Sequence, residues 1–82
     1  MSRRVTVFSR EGCHLCEEAL EQIAALERPD VVVEVVDIDT DDELLRRYLE
    51  RIPVIALDGE ELYEFRLDVA DFLDRLDVAA GR

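Results

Sequence analysis

The sequence has no tryptophan, no lysine and no asparagine, a single histidine and methionine, and only two cysteines and two prolines in 82 residues. Each scarcity excludes something. No stretch approaches the ~20 consecutive apolar residues of a membrane-spanning helix. The opening, Met1-Ser2-Arg3-Arg4-Val5-Thr6-Val7-Phe8-Ser9, puts basic residues before apolar ones. Its apolar part is too short and too interrupted for a signal-peptide core, and it lacks a small-residue cleavage site. The chain therefore reads as cytoplasmic. Ten basic residues stand against 21 acidic ones, for a formal net charge of −11. Nucleic acid and anionic membrane both need a basic patch, and none is visible, so neither is expected as a partner. A basic partner protein, or simple solubility, fits that charge better. The exclusive use of arginine reads as genome composition bias, and the acidity is also what salt adaptation would produce. A zinc site wants four ligands, and the chain offers two cysteines and His14, so no metal is assigned within it. A zinc or iron–sulfur site shared between two chains is the metal reading left open. There is no internal repeat, linker or low-complexity stretch, and residues 1–82 read as one domain.

What is present is a globular composition, 49% hydrophobic and 38% charged. A chain this short buries only roughly 60–65% of its extended surface, so the core is modest. Both cysteines fall in one stretch, Glu11-Gly12-Cys13-His14-Leu15-Cys16-Glu17. The apolar run Val5-Thr6-Val7-Phe8 precedes it, and Ala19, Leu20, Ile23 and Ala24 follow at helical spacing. The Cys-x-x-Cys thus lies where a strand turns into a helix. A helix N-terminus presents free backbone N–H groups and the positive end of the macrodipole. Both favour a thiolate, which is the nucleophile. Cys13 is expected at or just before the first turn and exposed, with Cys16 one turn on, facing inward beneath it. In a reducing compartment such a pair reads as redox-active or metal-binding before it reads as a permanent disulfide. The helix end and Arg10 favour the Cys13 thiolate, while Glu11, Glu17 and Glu18 oppose it. That balance predicts a reducing rather than an oxidising couple.

The rest of the chain reads in order. Arg3 to Ser9 is a strand, nearly continuous in apolar character and so expected to be buried on both faces. A helix runs from about Cys13 to Glu27, with Cys16, Ala19, Leu20, Ile23 and Ala24 on its buried face and Pro29 as its stop. Val31 to Val36 is a β-branched strand, which completes a right-handed βαβ unit with parallel strands. Thr40 and Glu43 form a capping box for a second helix through Leu44, Leu45, Tyr48 and Leu49. Arg51 to Leu57 is a third strand with Pro53 at its head. Asp58-Gly59 signals a two-residue hairpin turn, and Glu61 to Phe65 returns. Asp68 caps a last helix, with Leu67 and Phe72 as a hydrophobic staple and Val69, Phe72, Leu73 and Leu76 on its buried face. Val78 to Arg82 is expected to fray. Tyr48, Tyr63 and Phe65 read as packing residues. The order β-α-β-α-β-β-α gives an α/β fold with helices on both faces of a four-stranded mixed sheet.

The junction carrying Cys13-His14-Leu15-Cys16, the Ile52-Pro53 pair heading the third strand, and this element order resemble the thioredoxin fold from about Arg3 to Leu76. The small size, with no extra N-terminal strand and helix, is similar to a glutaredoxin-like protein, and Phe8 to Glu17 with Arg51-Ile52-Pro53-Val54 resembles its bacterial branch. The resemblance implies a thiol–disulfide oxidoreductase in which Cys13 attacks a disulfide and Cys16 resolves the mixed disulfide. It implies a cis peptide bond before Pro53, which faces the motif, and a substrate-pairing backbone at Ile52. Glutaredoxins commonly carry a proline and an aromatic between the cysteines, where this chain has His14 and Leu15. They carry Gly-Gly and an acidic residue before the last helix, which helps hold glutathione. Here that stretch is Phe65-Arg66-Leu67-Asp68, and only Asp68 matches.

The catalytic residues are thus read as Cys13 and Cys16. Candidate substrate contacts are His14, Leu15, Ile52, Pro53, Arg66 and Asp68. His14 is equally an exposed loop residue or a tunable charge beside the thiolate; Leu15 is a substrate contact or a cover for the cysteines. Arg10, Arg51 or Arg66 would have to offset the local acidity for glutathione, itself an anion, to bind. The resemblance implies a protein or small-molecule disulfide as substrate, and glutathione or a thioredoxin-reductase-like enzyme as the expected reductant. No cofactor is required, glutathione being a co-substrate at most, and a monomer is expected. The competing readings are the metal-bridged pair of chains and a redox-dead protein-interaction module.

Overall fold

Val5 and Val7 alternate with Thr6 and Phe8 along the first strand, and that alternation divides the molecule into two layers. In the computed structural model, which describes residues 2–80, β1 (Arg3–Ser9) lies inside a four-stranded sheet. It pairs in parallel with β2 (Val31–Asp37) and antiparallel with β3 (Val54–Leu57). β3 pairs antiparallel with β4 (Glu60–Glu64), giving the order β2-β1-β3-β4. The hairpin turn is Asp58-Gly59, both with positive φ (50° and 93°), as the tight two-residue turn requires.

On one face Val5, Val7, Ile55 and Leu57 pack against Ala19 and Ile23 of α1 (His14–Ala25) and Phe72 and Leu76 of α3 (Val69–Ala80). On the other, Phe8 and Val54 meet Ile38, Tyr48, Leu44 and Leu45. These come from a 3-10 turn (Ile38–Thr40) and from α2 (Asp42–Tyr48). The α/β thioredoxin-like architecture, with helices on both faces of a mixed sheet, is as expected.

Several local expectations are corrected. β1 is not buried on both faces: Val5 and Val7 are fully enclosed, but Thr6 and Phe8 are half-buried and Arg4 is exposed. The reason is that α2 has only seven residues and covers one end of its face. Ala24 is exposed although it shares the helical spacing of the buried stripe, and Leu49 is exposed as the C-cap of α2. The cap of α2 is Asp41, whose carboxylate accepts from the Glu43 and Leu44 amides at 2.7 and 3.4 Å. Thr40 belongs to the 3-10 turn and donates its hydroxyl to the Asp37 carbonyl. The third strand begins at Val54 rather than Arg51. Phe65 is not a packing residue; it lies outside β4 and is 47% exposed. The helix α3 runs through Ala80, and the stretch expected to fray, Val78 to Arg82, ends in Gly81 and Arg82, which lie outside the described residues.

Candidate active site

The register gathers four distant segments at one end of the sheet. Ser9 lies opposite Asp37, Phe8 opposite Val54, and Val54 opposite Glu64. The same end therefore receives the turn from β1 into α1, the Asp37–Asp39 segment, the Ile52-Pro53 bond and the Phe65-Arg66 loop. An ion pair from Arg10 to Asp39 (3.2 Å) and a hydrogen bond from the Phe65 amide to the Pro53 carbonyl (2.9 Å) tie them together.

Gly12, with φ of 82°, gives the backbone the turn that starts α1. Cys13 is the N-cap in extended conformation, and its sulfur accepts from the Cys16 amide at 3.2 Å. The cap position is normally held by an oxygen that satisfies an orphan N–H of the first turn. Here a sulfur holds it, so the same amide and helix dipole would stabilise a Cys13 thiolate. The two cysteines are joined as a disulfide with Cα atoms 5.2 Å apart. Cys16 is 1% exposed, as expected, whereas Cys13, expected to be exposed, is only partly open to solvent because its sulfur caps the helix and contacts the Cys16 amide. The pair is asymmetric, with one cysteine partly open to solvent and one sealed.

The other candidates divide. Leu15 is 38% exposed and faces, across a cleft of about 150 Å³, Phe65, Arg66 and Leu67. Ala19 forms the cleft's floor, and Glu18 and Gln22 line it from α1. The Ile52-Pro53 peptide bond is cis, Pro53 is buried, and Ile52 packs half-buried against the Tyr48 cluster. His14 points into solvent, its side chain 99% exposed and 3.9 Å from the Glu17 carboxylate. Asp68 serves as a cap, accepting from the Asp71 amide at 3.1 Å. Arg10, expected to favour the thiolate, is instead committed to Asp39. Among the described residues no three His, Cys, Asp or Glu side chains converge as metal ligands.

Phe65 has a φ of 70°, a left-handed conformation that costs an ordinary residue roughly 1–2 kcal/mol. Its ring is half-exposed, so burial offsets only part of the strain. Phe65→Gly relieves that strain, less the unfolded-chain entropy a glycine adds, and is expected to stabilise the protein by roughly 0.5 kcal/mol. A thermal melt would show a midpoint rise of roughly 2–4 °C. An unchanged or lower midpoint would mean the ring contributes packing that its exposure hides.

Behind Ile52-Pro53 stands a polar lock that sequence reading missed. Arg51 donates to Glu64 (2.6 Å) and Glu61 (2.8 Å), and its guanidinium lies 5.2 Å from the Tyr48 ring centre. Tyr48 donates its hydroxyl to Glu61 at 2.6 Å and stacks on Phe8 at 4.2 Å. The hydrogen-bonded partners sit up to 13 residues apart, so only a hairpin register could have revealed them. The Tyr48 hydroxyl first, then Arg51, holds the Glu61 carboxyl below its usual pKa. Tyr63 first, then Arg75, does the same for Asp71. A carboxylate with a depressed folded pKa contributes stability that is fully present above its unfolded value. That stability is lost as pH falls through the folded value. The melting temperature is thus expected to hold above about pH 5 and to decline below about pH 4. Glu61→Gln removes one titrating group and should flatten that acid limb; an unchanged slope would show that Glu61 is not coupled to folding.

A family model described as glutaredoxin-like domain (DUF836) matches residues 4–77. The solution structure of protein Ne2328 from Nitrosomonas europaea is 34% identical, with a TM-score of 0.78 over 93% of this chain and 92% of that one. A mutant thioredoxin from Halobacterium salinarum is 24% identical (TM-score 0.65, 94% of this chain, 74% of that one). Thioredoxin from Fasciola hepatica is 23% identical (TM-score 0.63, 93% and 79%). These two share the fold. A comparison with the curated proteins gives no match.

Proposed function

The chain belongs to the glutaredoxin-like domain family (DUF836), and from that premise we propose that it is a thiol–disulfide oxidoreductase that reduces disulfides through Cys13 and Cys16. The thioredoxin-like fold and its Cys-x-x-Cys pair support thiol–disulfide redox chemistry as such. The observation that carries the finer reading is the asymmetry of the pair. A partly open cysteine caps the helix with its sulfur, and a sealed cysteine waits one turn below it.

In the reduced protein the Cys13 thiolate attacks one sulfur of a substrate disulfide. A Cys13–substrate bond forms as the substrate's S–S bond breaks, and the other substrate sulfur leaves as a thiolate that takes a proton from water. Cys16 loses its proton and attacks Cys13, which releases the second substrate thiolate. Two electrons pass from the protein dithiol to the substrate, and the Cys13–Cys16 disulfide remains. A thiol reductant, either glutathione or a thioredoxin-reductase-like enzyme, returns the pair to the dithiol. The protein would do this as a cytoplasmic monomer, without a resident cofactor.

The test is intact mass after equilibration against graded ratios of reduced to oxidised glutathione, with remaining thiols alkylated. A Cys13–Cys16 disulfide that forms and reverses at poises of about −200 to −270 mV supports the reading. Two thiols alkylated at every ratio would overturn it. Zinc or a visible-absorbing cluster in the purified protein would replace it with a site shared between two chains.

A further inference from the structure

The surroundings of the cysteine pair differ in charge and shape from what a small anionic thiol needs. Arg10 is committed to Asp39, and Arg51 to Glu61 and Glu64. Of the arginines near the site, Arg66 is the one without an ion pair among the described residues. Against it stand Glu11, Glu17 and Glu18, all exposed on the turn and first helical turns that carry Cys13. Asp37 and Asp39 lie at the same end of the sheet. The overall charge of −11 reinforces the local one. A field of that sign slows the approach of anions and speeds that of cations. Oxidised glutathione is a net anion.

The cleft beside the pair adds a second requirement. Leu15 on one wall and Phe65 on the other are large apolar side chains left in solvent, with Ala19 beneath them. At about 150 Å³ the cleft has the size of one large aliphatic or aromatic side chain. Phe65 is held over it by the left-handed backbone and by the hydrogen bond to Pro53.

We infer that the site selects disulfides carried on cationic polypeptide segments that present a large apolar residue next to the target cysteine. This rests on the redox reading above. The apolar residue enters the Leu15–Phe65 cleft, and basic residues flanking it face Glu17 and Glu18. Glutathione disulfide satisfies neither contact.

The experiment follows single-turnover oxidation of pre-reduced protein, its thiol content verified first, by four disulfides. Three are short synthetic peptides, each paired with the same small thiol: a lysine-flanked one with leucine beside the cysteine, its glutamate-flanked counterpart, and a lysine-flanked one with glycine in place of leucine. The fourth is oxidised glutathione. At low salt the cationic leucine peptide is expected to react about tenfold or more faster than the anionic one and than glutathione disulfide, a ratio that collapses in molar salt. Leucine is expected to exceed glycine by about tenfold. Glu17→Gln combined with Glu18→Gln should shrink the charge preference alone, and Phe65→Gly the leucine preference alone. Equal rates for all four disulfides, or a faster reaction with glutathione disulfide, would overturn this inference and leave the redox reading standing. A charge preference without a leucine preference would overturn the part assigned to the cleft. No exchange with any of the four would overturn the redox reading and the inference with it.

Discussion

Replacing Cys16 by serine is expected to turn the protein into a covalent trap. Cys13 keeps its exposure and its place at the head of α1, so attack on a substrate disulfide proceeds. The second step then lacks its nucleophile. One substrate should remain bound per chain, seen as a mass increase that a strong reductant removes. Dithiol turnover is expected to fall by about a hundredfold or more, which is ~2.7 kcal/mol in barrier height. Cys13→Ser should form no adduct, because Cys16 is sealed at 1% exposure. A serine hydroxyl in that sealed position costs roughly 1–3 kcal/mol unless it finds a partner, so Cys16→Ala serves as a second version without the polar atom. Release of product at the undiminished rate from both variants would remove the resolving role from Cys16. An adduct on Cys13→Ser would reverse the two roles.

The largest effect on stability is expected at Phe72. Its ring is fully enclosed between the sheet and α1, and it meets Tyr63 edge-on at 6.1 Å. Phe72→Ala should cost about 3–5 kcal/mol through lost transfer energy and the cavity left behind. A domain of this length holds only roughly 4–12 kcal/mol in total, so the variant loses a large fraction of its margin. Its melting midpoint should drop by more than about 12 °C. Val32→Ala, at a side chain 53% exposed on the outer strand, should move it by little. A small shift at Phe72 would mean the core closes around the vacancy.

Much of this was legible in the residues. The period-three-and-four spacing around Cys16 and Ile23 placed α1, and the turn chemistry of Asp58-Gly59 placed the hairpin with its residues. What was not legible depended on partners far away in sequence. The run Val31 to Val36 has the composition of a buried strand, yet Val32, Val33 and Val35 are exposed. That follows from β2 lying at the sheet edge, which no property of the strand itself announces. Arg10 looked available to the thiolate until the 3-10 turn brought Asp39 to it. Thr40 and Asp41 are both good caps, and the 3-10 turn that occupies Thr40 decided between them. Phe65 read as a strand-end aromatic because its alternation continues that of Tyr63. Its positive φ, which turns the chain out of β4, is a property of the loop that follows. The Cys-x-x-Cys end of the site was local and therefore readable. Its opposite wall, Phe65 with Arg66, was brought there by the sheet.

The closeness of the two cysteines along the chain has a further consequence, for the relation between redox state and folding. Their disulfide closes a ring with a sequence separation of 3. Loop closure of that size restrains an unfolded chain by only about 2 kcal/mol, against roughly 4.7 for a crosslink spanning a hundred residues. The fold is therefore held by the sheet and its two apolar layers in either oxidation state. Electrons can enter and leave the pair without the architecture being assembled or released on each cycle, much as a latch can work without bearing the weight of the door.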